Sequence, residues 1–151
     1  MSIRTSLRTY LLTITEVDAL PDAKVYVGRA PQGKALPRVE IGRLDDDPNN
    51  TLDGVGGMNT DDFEIDCKAA TPAAADSLAE AIKDEIEPYT GAMGDHTCLA
   101  VIFGGFTNRE EFVDDMSDVV RHVTTLNFQI KYFLREFLIW QLQYARARFS
   151  N

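Results

Sequence analysis

Two stretches of the chain repeat apolar residues at helical spacing. From Ile3 to Ile14 they recur every three or four positions, which predicts an amphipathic helix over residues 3–15 with Ser2 as its N-cap. A second helix is predicted to begin at Thr71-Pro72, because a threonine cap followed by proline at the first helical position favours a helix start. Its alanine-rich apolar stripe continues to Ile86, and its acidic residues are predicted to face water.

Other stretches alternate apolar and polar residues, which is typical of half-buried strands. We expect the first two strands to pair antiparallel. The fourth is predicted to be buried, with a bulge or bend at Gly104-Gly105, and residues 108–118 are predicted to form an acidic connector. The predicted strands cover Lys24–Gly28, Leu36–Leu44, Phe63–Lys68, Thr97–Phe106 and Val119–Tyr132.

Residues 45–62 carry six aspartates and three glycines but few side chains that a core would bury. Unstructured segments longer than about 12–15 residues are uncommon in compact domains and are usually functional or disordered. The sequence therefore predicts a long acidic loop that is mobile in the free protein and ordered by a partner.

The apolar period changes again after the last predicted strand. Phe133, Phe137, Trp140 and Tyr144 recur at helical spacing, and Arg146 and Arg148 follow them. This predicts a C-terminal helix with an aromatic stripe, which packs either on the chain's own sheet or on a neighbouring subunit.

These elements predict an α+β fold: a mostly antiparallel sheet of about five strands, with an N-terminal, a central and a C-terminal helix packed on it. Residues 1–132 are predicted to form the α+β domain and residues 133–151 a helical extension. The two cysteines are too few for a disulfide framework, and no apolar run reaches the roughly 18 residues that span a membrane. We therefore expect a soluble protein made in a reducing cytoplasm.

Charge is distributed unevenly along the chain. Residues 1–43 hold seven Lys or Arg against four Asp or Glu, residues 44–118 hold three against nineteen, and residues 119–151 hold five against one. The net charge of −9 disfavours general nucleic-acid binding, which needs a basic surface. Acidic and basic regions on different faces would favour head-to-tail subunit contacts, although the acidic stretch also serves solubility alone.

The sequence contains no recognisable catalytic motif: no Walker loop, no Rossmann fingerprint and no nucleophile elbow. The lone His96-x-Cys98 pair and the isolated Cys67 and His122 lack zinc-site spacing. A Cys98–His122 pair is conceivable if their strands are adjacent, but nothing marks Cys98 as activated. Alternate oxygen side chains from Asp45 to Asp53 lack the central glycine and closing glutamate of a calcium loop. We therefore expect no metal, cofactor or catalytic residue.

Several segments together resemble a known family, the tail terminator proteins of long-tailed bacteriophages, also called tail-completion or tail-to-head joining proteins. The resemblance covers about residues 1–132, and the C-terminal helix stands outside it. It rests on Val25-Tyr26, Ala30-Pro31, Leu36–Ile41, the acidic loop, Phe63–Asp66, Ala73–Ile86 and Asp118–Tyr132.

The resemblance implies a structural virion protein, assembled in the host cytoplasm, and not an enzyme. Its copies would form a ring, typically a hexamer, that caps the tail tube at its head-proximal end and joins it to a head-completion or neck protein. DNA would pass through the lumen without specific binding, and no membrane is involved. The alternatives are a small ligand- or protein-binding module and an enzyme. The candidate interface residues are Asp45, Asp46, Asp47, Asp53, Asp61, Asp62, Arg135, Phe137, Trp140, Tyr144, Arg146 and Arg148.

Overall fold

The computed structural model describes residues 2–47, 50–51, 54–55, 58–112, 120–134 and 146. Helices and strands alternate irregularly along the chain, as expected for an α+β protein. In chain order the elements are α1 (Ile3–Leu11), α2 (Thr15–Asp18), β1 (Val25–Val27), β2 (Arg38–Asp47), β3 (Asn50–Thr51), β4 (Gly54–Val55), β5 (Met58–Ala69), α3 (Pro72–Ile86), β6 (Gly91–Met93), β7 (His96–Phe112) and β8 (Val120–Leu134).

The first two predicted helices begin at the predicted caps, but the first ends at Leu11 and not at residue 15. Ser2 accepts a hydrogen bond from the Thr5 amide at the start of α1, and Thr71 accepts one from the Ala74 amide at the start of α3. Each hydroxyl satisfies a backbone donor that has no partner within the helix. The acidic side of α3 is exposed, as the sequence predicted.

Six strands form one sheet in the order β1-β2-β5-β8-β7-β6, and β3 and β4 form a separate two-stranded ladder. All neighbours in the large sheet are antiparallel except β1 and β2. The expected antiparallel pairing of β1 with β2 is therefore wrong. Residues 28–37 are too long for a tight hairpin turn, and they carry the chain back to the start of β1, from which β2 runs parallel to it.

The sequence predicted that residues 45–62 form a single acidic loop, and this is wrong because parts of the stretch lie in strands. β2 continues to Asp47 and pairs there with β5, so that Asp45 lies opposite Asp62 and Asp47 opposite Thr60. Residues 50–51 and 54–55 form the small β3–β4 ladder. The backbone hydrogen bonds of neighbouring strands hold these residues, whatever the polarity of their side chains.

Two further expectations are corrected at β7 and β8, and a third is confirmed. Residues 108–112 belong to β7 and not to a connector, because they continue the ladder with residues 120–124 of β8. Phe133 and Leu134 still belong to β8, so the predicted C-terminal helix does not include them. The predicted bulge is confirmed by a register shift between Phe103 and Gly105.

The core lies between the helices and one side of the sheet, called here the helix side. It includes Val39, Ile41, Phe63, Ile65 and Leu126, all fully buried. Leu7 and Leu11 of α1 and the apolar stripe of α3 pack against them. Because these residues alternate along each strand, the residues between them point to the opposite side of the sheet, called here the polar side.

The sheet curls so that α1 contacts both of its edges. Arg8 Nε donates to the Val25 carbonyl on β1 at 2.8 Å, while Ser6 Oγ and His96 Nδ1 form a 2.7 Å hydrogen bond at the β6–β7 end. Gly94 permits this close approach: its φ is +57°, and a Cβ there would lie 2.7 Å from Ser6 Oγ. Helix α1 thus fills the gap between the first and last strands.

Candidate assembly surfaces

A buried lysine is the centre of a charged cluster on the polar side of the sheet. The ammonium group of Lys68 lies 2.9 Å from Glu40 Oε2 and 3.3 Å from Glu111 Oε2. The side chains of Lys68 and Glu40 are only 4% and 6% exposed. One cation therefore links strands β2, β5 and β7 where little water reaches it.

The residues that connect β1 to β2 cover this cluster. The Ala30 amide donates to Glu40 Oε1 at 2.8 Å, and Arg38 Nη1 donates to the Lys34 carbonyl at 2.9 Å. Arg38 Nε also lies 3.3 Å from Glu40 Oε2. Glu40 thus accepts from two cations and one backbone amide, which offsets much of the cost of burying a carboxylate.

The cluster extends across β8 to the far strand. Arg109 Nη2 lies 3.0 Å from Asp66 Oδ2, and Arg109 Nη1 donates to Thr125 Oγ1 at 2.9 Å. Thr125 in turn donates to Asp66 Oδ1 at 2.6 Å, and Arg121 Nε lies 2.8 Å from Glu111. Side-chain polar bonds therefore join four neighbouring strands of the sheet.

The electrostatics favour the ionised forms of Glu111 and Glu40. Burial raises the pKa of Glu111, but Arg121, Lys68 and Arg109 outweigh it and bring the pKa to about 2. Glu40 behaves alike: burial opposes ionisation, and hydrogen bonds from Lys68 and Ala30 lower its pKa overall. Carboxylates held in this state are poor proton donors at neutral pH, so the arrangement is suited to joining strands.

The outer edge of β7 is a second distinct surface. β6 pairs with β7 only from His96 to Cys98, and within the described residues no strand pairs with that edge from residue 99 to residue 112. Leu99 is 37%, Ile102 48% and Phe106 43% exposed. The prediction that residues 97–106 form a buried strand is therefore wrong here, because an edge strand lacks a neighbour to cover it.

An open cleft lies between the N-terminus of α3 and the β7–β8 hairpin. Its volume is about 260 Å³, and Pro72, Asp76, Arg109 and His122 contribute to its lining. Ligand pockets usually enclose about 300–1,000 Å³ and are mostly apolar. This cleft is smaller and carries several charged groups.

The cysteines and histidines are dispersed. His122 lies opposite Glu110 in the β7–β8 register, far along the hairpin from Cys98, which lies opposite Tyr132. Burial raises the pKa of the Cys67 and Cys98 thiols and lowers that of His96. Among the described residues, no three His, Cys, Asp or Glu side chains come together where they would hold a metal ion.

The residues predicted from the sequence as an interface fall in several places. Asp61 is fully buried and accepts a hydrogen bond from Tyr132 at 2.9 Å, while the half-buried Asp62 accepts one from Gln129 at 3.2 Å. Arg146 is helical and exposed. Asp45, Asp46 and Asp47 lie on β2. Asp53, Arg135, Phe137, Trp140, Tyr144 and Arg148 lie outside the described residues.

Sequence reasoning missed both the charged cluster and the open β7 edge. Alternate polar residues such as Glu40 and Lys68 read as solvent-facing when each strand is considered alone. One signal in the sequence was available: acidic and basic residues are mixed along β2, β5 and β7, at positions that strand pairing brings close to one another.

Comparison with known proteins bears on what these surfaces serve. Residues 5–130 match the protein family described as Tail completion protein gp17, a range that covers most of the chain. The chain belongs to this family. Members of the family are structural proteins of the phage tail, so the resemblance inferred from the sequence is confirmed. Comparison with curated proteins gives no match.

A solved structure shares the fold. A chain of the "Virion of native gene transfer agent (GTA) particle" superposes with a TM-score of 0.60 at 17% identity, over 87% of this chain and 92% of that one. At this identity the likeness concerns the fold alone. Within the described residues, no helix is both long and apolar enough to cross a membrane.

Proposed function

We propose that this tail completion family member forms a ring, with six copies as the family resemblance implies, at the head-proximal end of the tail tube. One side of the ring caps the tube protein, and the other receives the head-completion or neck protein. The subunits assemble in the host cytoplasm and remain in the virion. The family match over residues 5–130 carries this proposal.

The charged cluster supports a structural role and not a catalytic one. Enzyme sites usually contain a group whose pKa is shifted towards the working pH, whereas Glu40 and Glu111 are shifted away from it. We therefore propose that the chain is not an enzyme. The cluster instead gives the subunit a rigid sheet on which partners can dock.

The acidic composition supports a lumen that lets DNA pass. Nineteen acidic residues against three basic ones in residues 44–118 would repel phosphates, and DNA binding weakens without basic contacts. In this proposal DNA crosses the ring without specific binding.

The residues first predicted as an interface keep that role in this proposal where they are outside the core. The aromatic stripe of Phe137, Trp140 and Tyr144 would supply apolar contacts to a neighbour. Arg135, Arg146 and Arg148 would tune the register and the rate at which subunits meet.

Replacing Trp140 with alanine is expected to weaken assembly by about 2 kcal/mol, the scale of an interface hot spot. If that variant unfolds as a monomer, Trp140 belongs to the core.

The experiment combines the purified chain with tail tubes of the same virion. A gold label at Ser2 should appear at one end of each tube in electron micrographs, with a ring visible there. Labels along the tube, or at neither end, would contradict the proposal. Light scattering of the chain alone and after mixing gives the number of copies.

The alternative, a small ligand-binding module, is associated with the cleft beside Pro72 and His122. It predicts a monomer whose melting temperature rises with a small molecule, because a ligand that binds only the folded state stabilises it. A His122→Ala variant would then lose that rise. If the tail function is right, the gold-labelled His122→Ala variant should still bind tube ends as the wild-type chain does.

A further inference from the structure

The open edge of β7 has the properties of an unoccupied contact surface. Its backbone from residue 99 to residue 112 has no strand partner on the outer side among the described residues. Four of the exposed large apolar residues in the described chain lie on this strand: Leu99, Ile102, Phe106 and Phe112. Soluble proteins usually protect such long apolar edges, because they template pairing with another chain.

Acidic side chains border this edge. Asp76 and Glu80 of α3 line a shallow cleft together with Phe106, Asn108 and Thr124, and Asp84 continues the exposed row along the helix. Glu80 and Asp84 have no ion-pair partner in the described part of the chain. The nearby Lys83 pairs with Glu87 and lies over the ring of Phe106. The surface is thus apolar along the strand and negative beside it.

The connection between β1 and β2, at the opposite end of the strand order, is basic. Arg29 and Lys34 are exposed on the connection between β1 and β2, and neither side chain has an ion-pair partner within the described residues. The edge of β1 itself is short and partly occupied, since Val25 O accepts from Arg8. The two ends of the sheet therefore differ in charge and in how completely they are covered.

We propose that the β7 edge of one copy receives the basic connection, residues 28–37, of a second copy. Charge complementarity selects this occupant: Arg29 and Lys34, which have no ion-pair partner in the described part of the chain, complement Glu80 and Asp84 beside β7. The contact uses two different surfaces, so it is head-to-tail and repeats around a closed ring. This inference rests on the proposed ring and names the two surfaces that would meet in it.

Two variants test the contact, each of which damages one side only. Ile102→Asn removes an apolar side chain from the β7 edge without adding a charge, and Arg29→Glu with Lys34→Glu reverses the basic connection. Each variant alone should raise the concentration at which oligomers form about tenfold or more. Glu16→Lys, at an exposed position of α2, is the matched control and should leave assembly unchanged.

Mixing the two damaged variants gives the most specific result. A head-to-tail contact leaves one intact surface on each, so the mixture should form dimers that cannot extend, at masses measured by light scattering. Unchanged melting temperatures would show that the variants fold, since Ile102 is half exposed and Arg29 and Lys34 are surface residues.

The outcomes separate this inference from the proposed function. If the wild-type chain forms rings and both variants do so equally well, the β7 contact is wrong and the ring stands. If the mixture forms full rings, the contact is not head-to-tail through these surfaces. If the wild-type chain stays monomeric both alone and on tail tubes, the proposed ring itself fails.

Discussion

The two sides of the central sheet are buried in different ways. On the helix side, apolar side chains such as Phe63 and Ile65 pack against α1 and α3. On the polar side, Glu40 and Lys68 are nearly as inaccessible, yet the groups around them are charged and a loop covers them. Stability on the helix side depends on how completely the side chains fill the core. Stability on the polar side depends on every buried charge having a partner, so the two sides should respond differently to substitution.

The largest effect is expected on the helix side. Phe63→Ala should lower the free energy of unfolding by about 4 kcal/mol, because a fully buried ring is lost and a cavity remains. Phe63→Leu, which keeps much of the volume, should cost less than about 1.5 kcal/mol. Urea denaturation measures both, and Phe112→Ala, at a 70% exposed position, is the control expected to change little. Equal losses for the two Phe63 variants would contradict this account of the helix side.

Removing the central cation should be next in size. Lys68→Met keeps most of the side chain's volume but leaves Glu40 and Glu111 without their shared partner, which should cost about 3 kcal/mol. Lys24→Met breaks an ion pair with the well exposed Asp18 and should cost less than about 1 kcal/mol. If the two methionine variants unfold at the same urea concentration, the cluster does not stabilise the sheet.

Acid should weaken the polar side selectively. The pKa of Glu111 is lowered from 4.5 to about 2 in the folded chain, so its stabilising contribution is complete above about pH 5 and is lost as the pH falls towards 2. Between about pH 6 and about pH 3 this contribution should shrink by about 2 kcal/mol. Glu111→Gln should show a shallower fall in stability over that range. Parallel curves for variant and wild type would refute the assignment.

The smallest effect compares two neighbouring threonines on β8. Thr125 donates to Asp66 on the polar side, and Thr124 donates to the exposed Asp76 on the helix side. Thr125→Val should cost about 1.5 kcal/mol, because Asp66 and Arg109 lose a partner inside the cluster. Thr124→Val should cost about 0.5 kcal/mol, because water can replace the bond to Asp76. A reversed order in thermal unfolding would contradict the distinction between the two sides.

The helices could be predicted from the sequence because their signals are local. Ser2 and Thr71 act as caps within three residues of the amides they bind, and the apolar stripe of α3 lies on one short segment. The pairing of strands is not local. Asp45–Asp47 look like a loop until β5 lies beside them, and the parallel β1–β2 pair depends on the path of residues 28–37.

The candidate surfaces were harder still to predict. Lys68 on β5 reaches Glu111 on β7 because only one strand, β8, lies between them in the sheet. Hydrophobic periodicity does not encode this strand order. The exposure of Ile102 likewise follows from the shortness of β6, which leaves most of β7 without a neighbour. The resemblance to tail terminators indicated the family without indicating either feature.

The position of β8 has a consequence for synthesis. It is the last described strand in the chain, yet it lies between β5 and β7 in the middle of the sheet. While the ribosome is still making residues before 120, the β2–β5 pair and β7 have no common neighbour to join them. Such long-range pairing is slow and leaves strand edges open in the meantime. The nascent chain therefore has to complete most of its length before it can fold, and a premature stop ahead of Val120 would leave the two halves of the sheet without the strand that joins them.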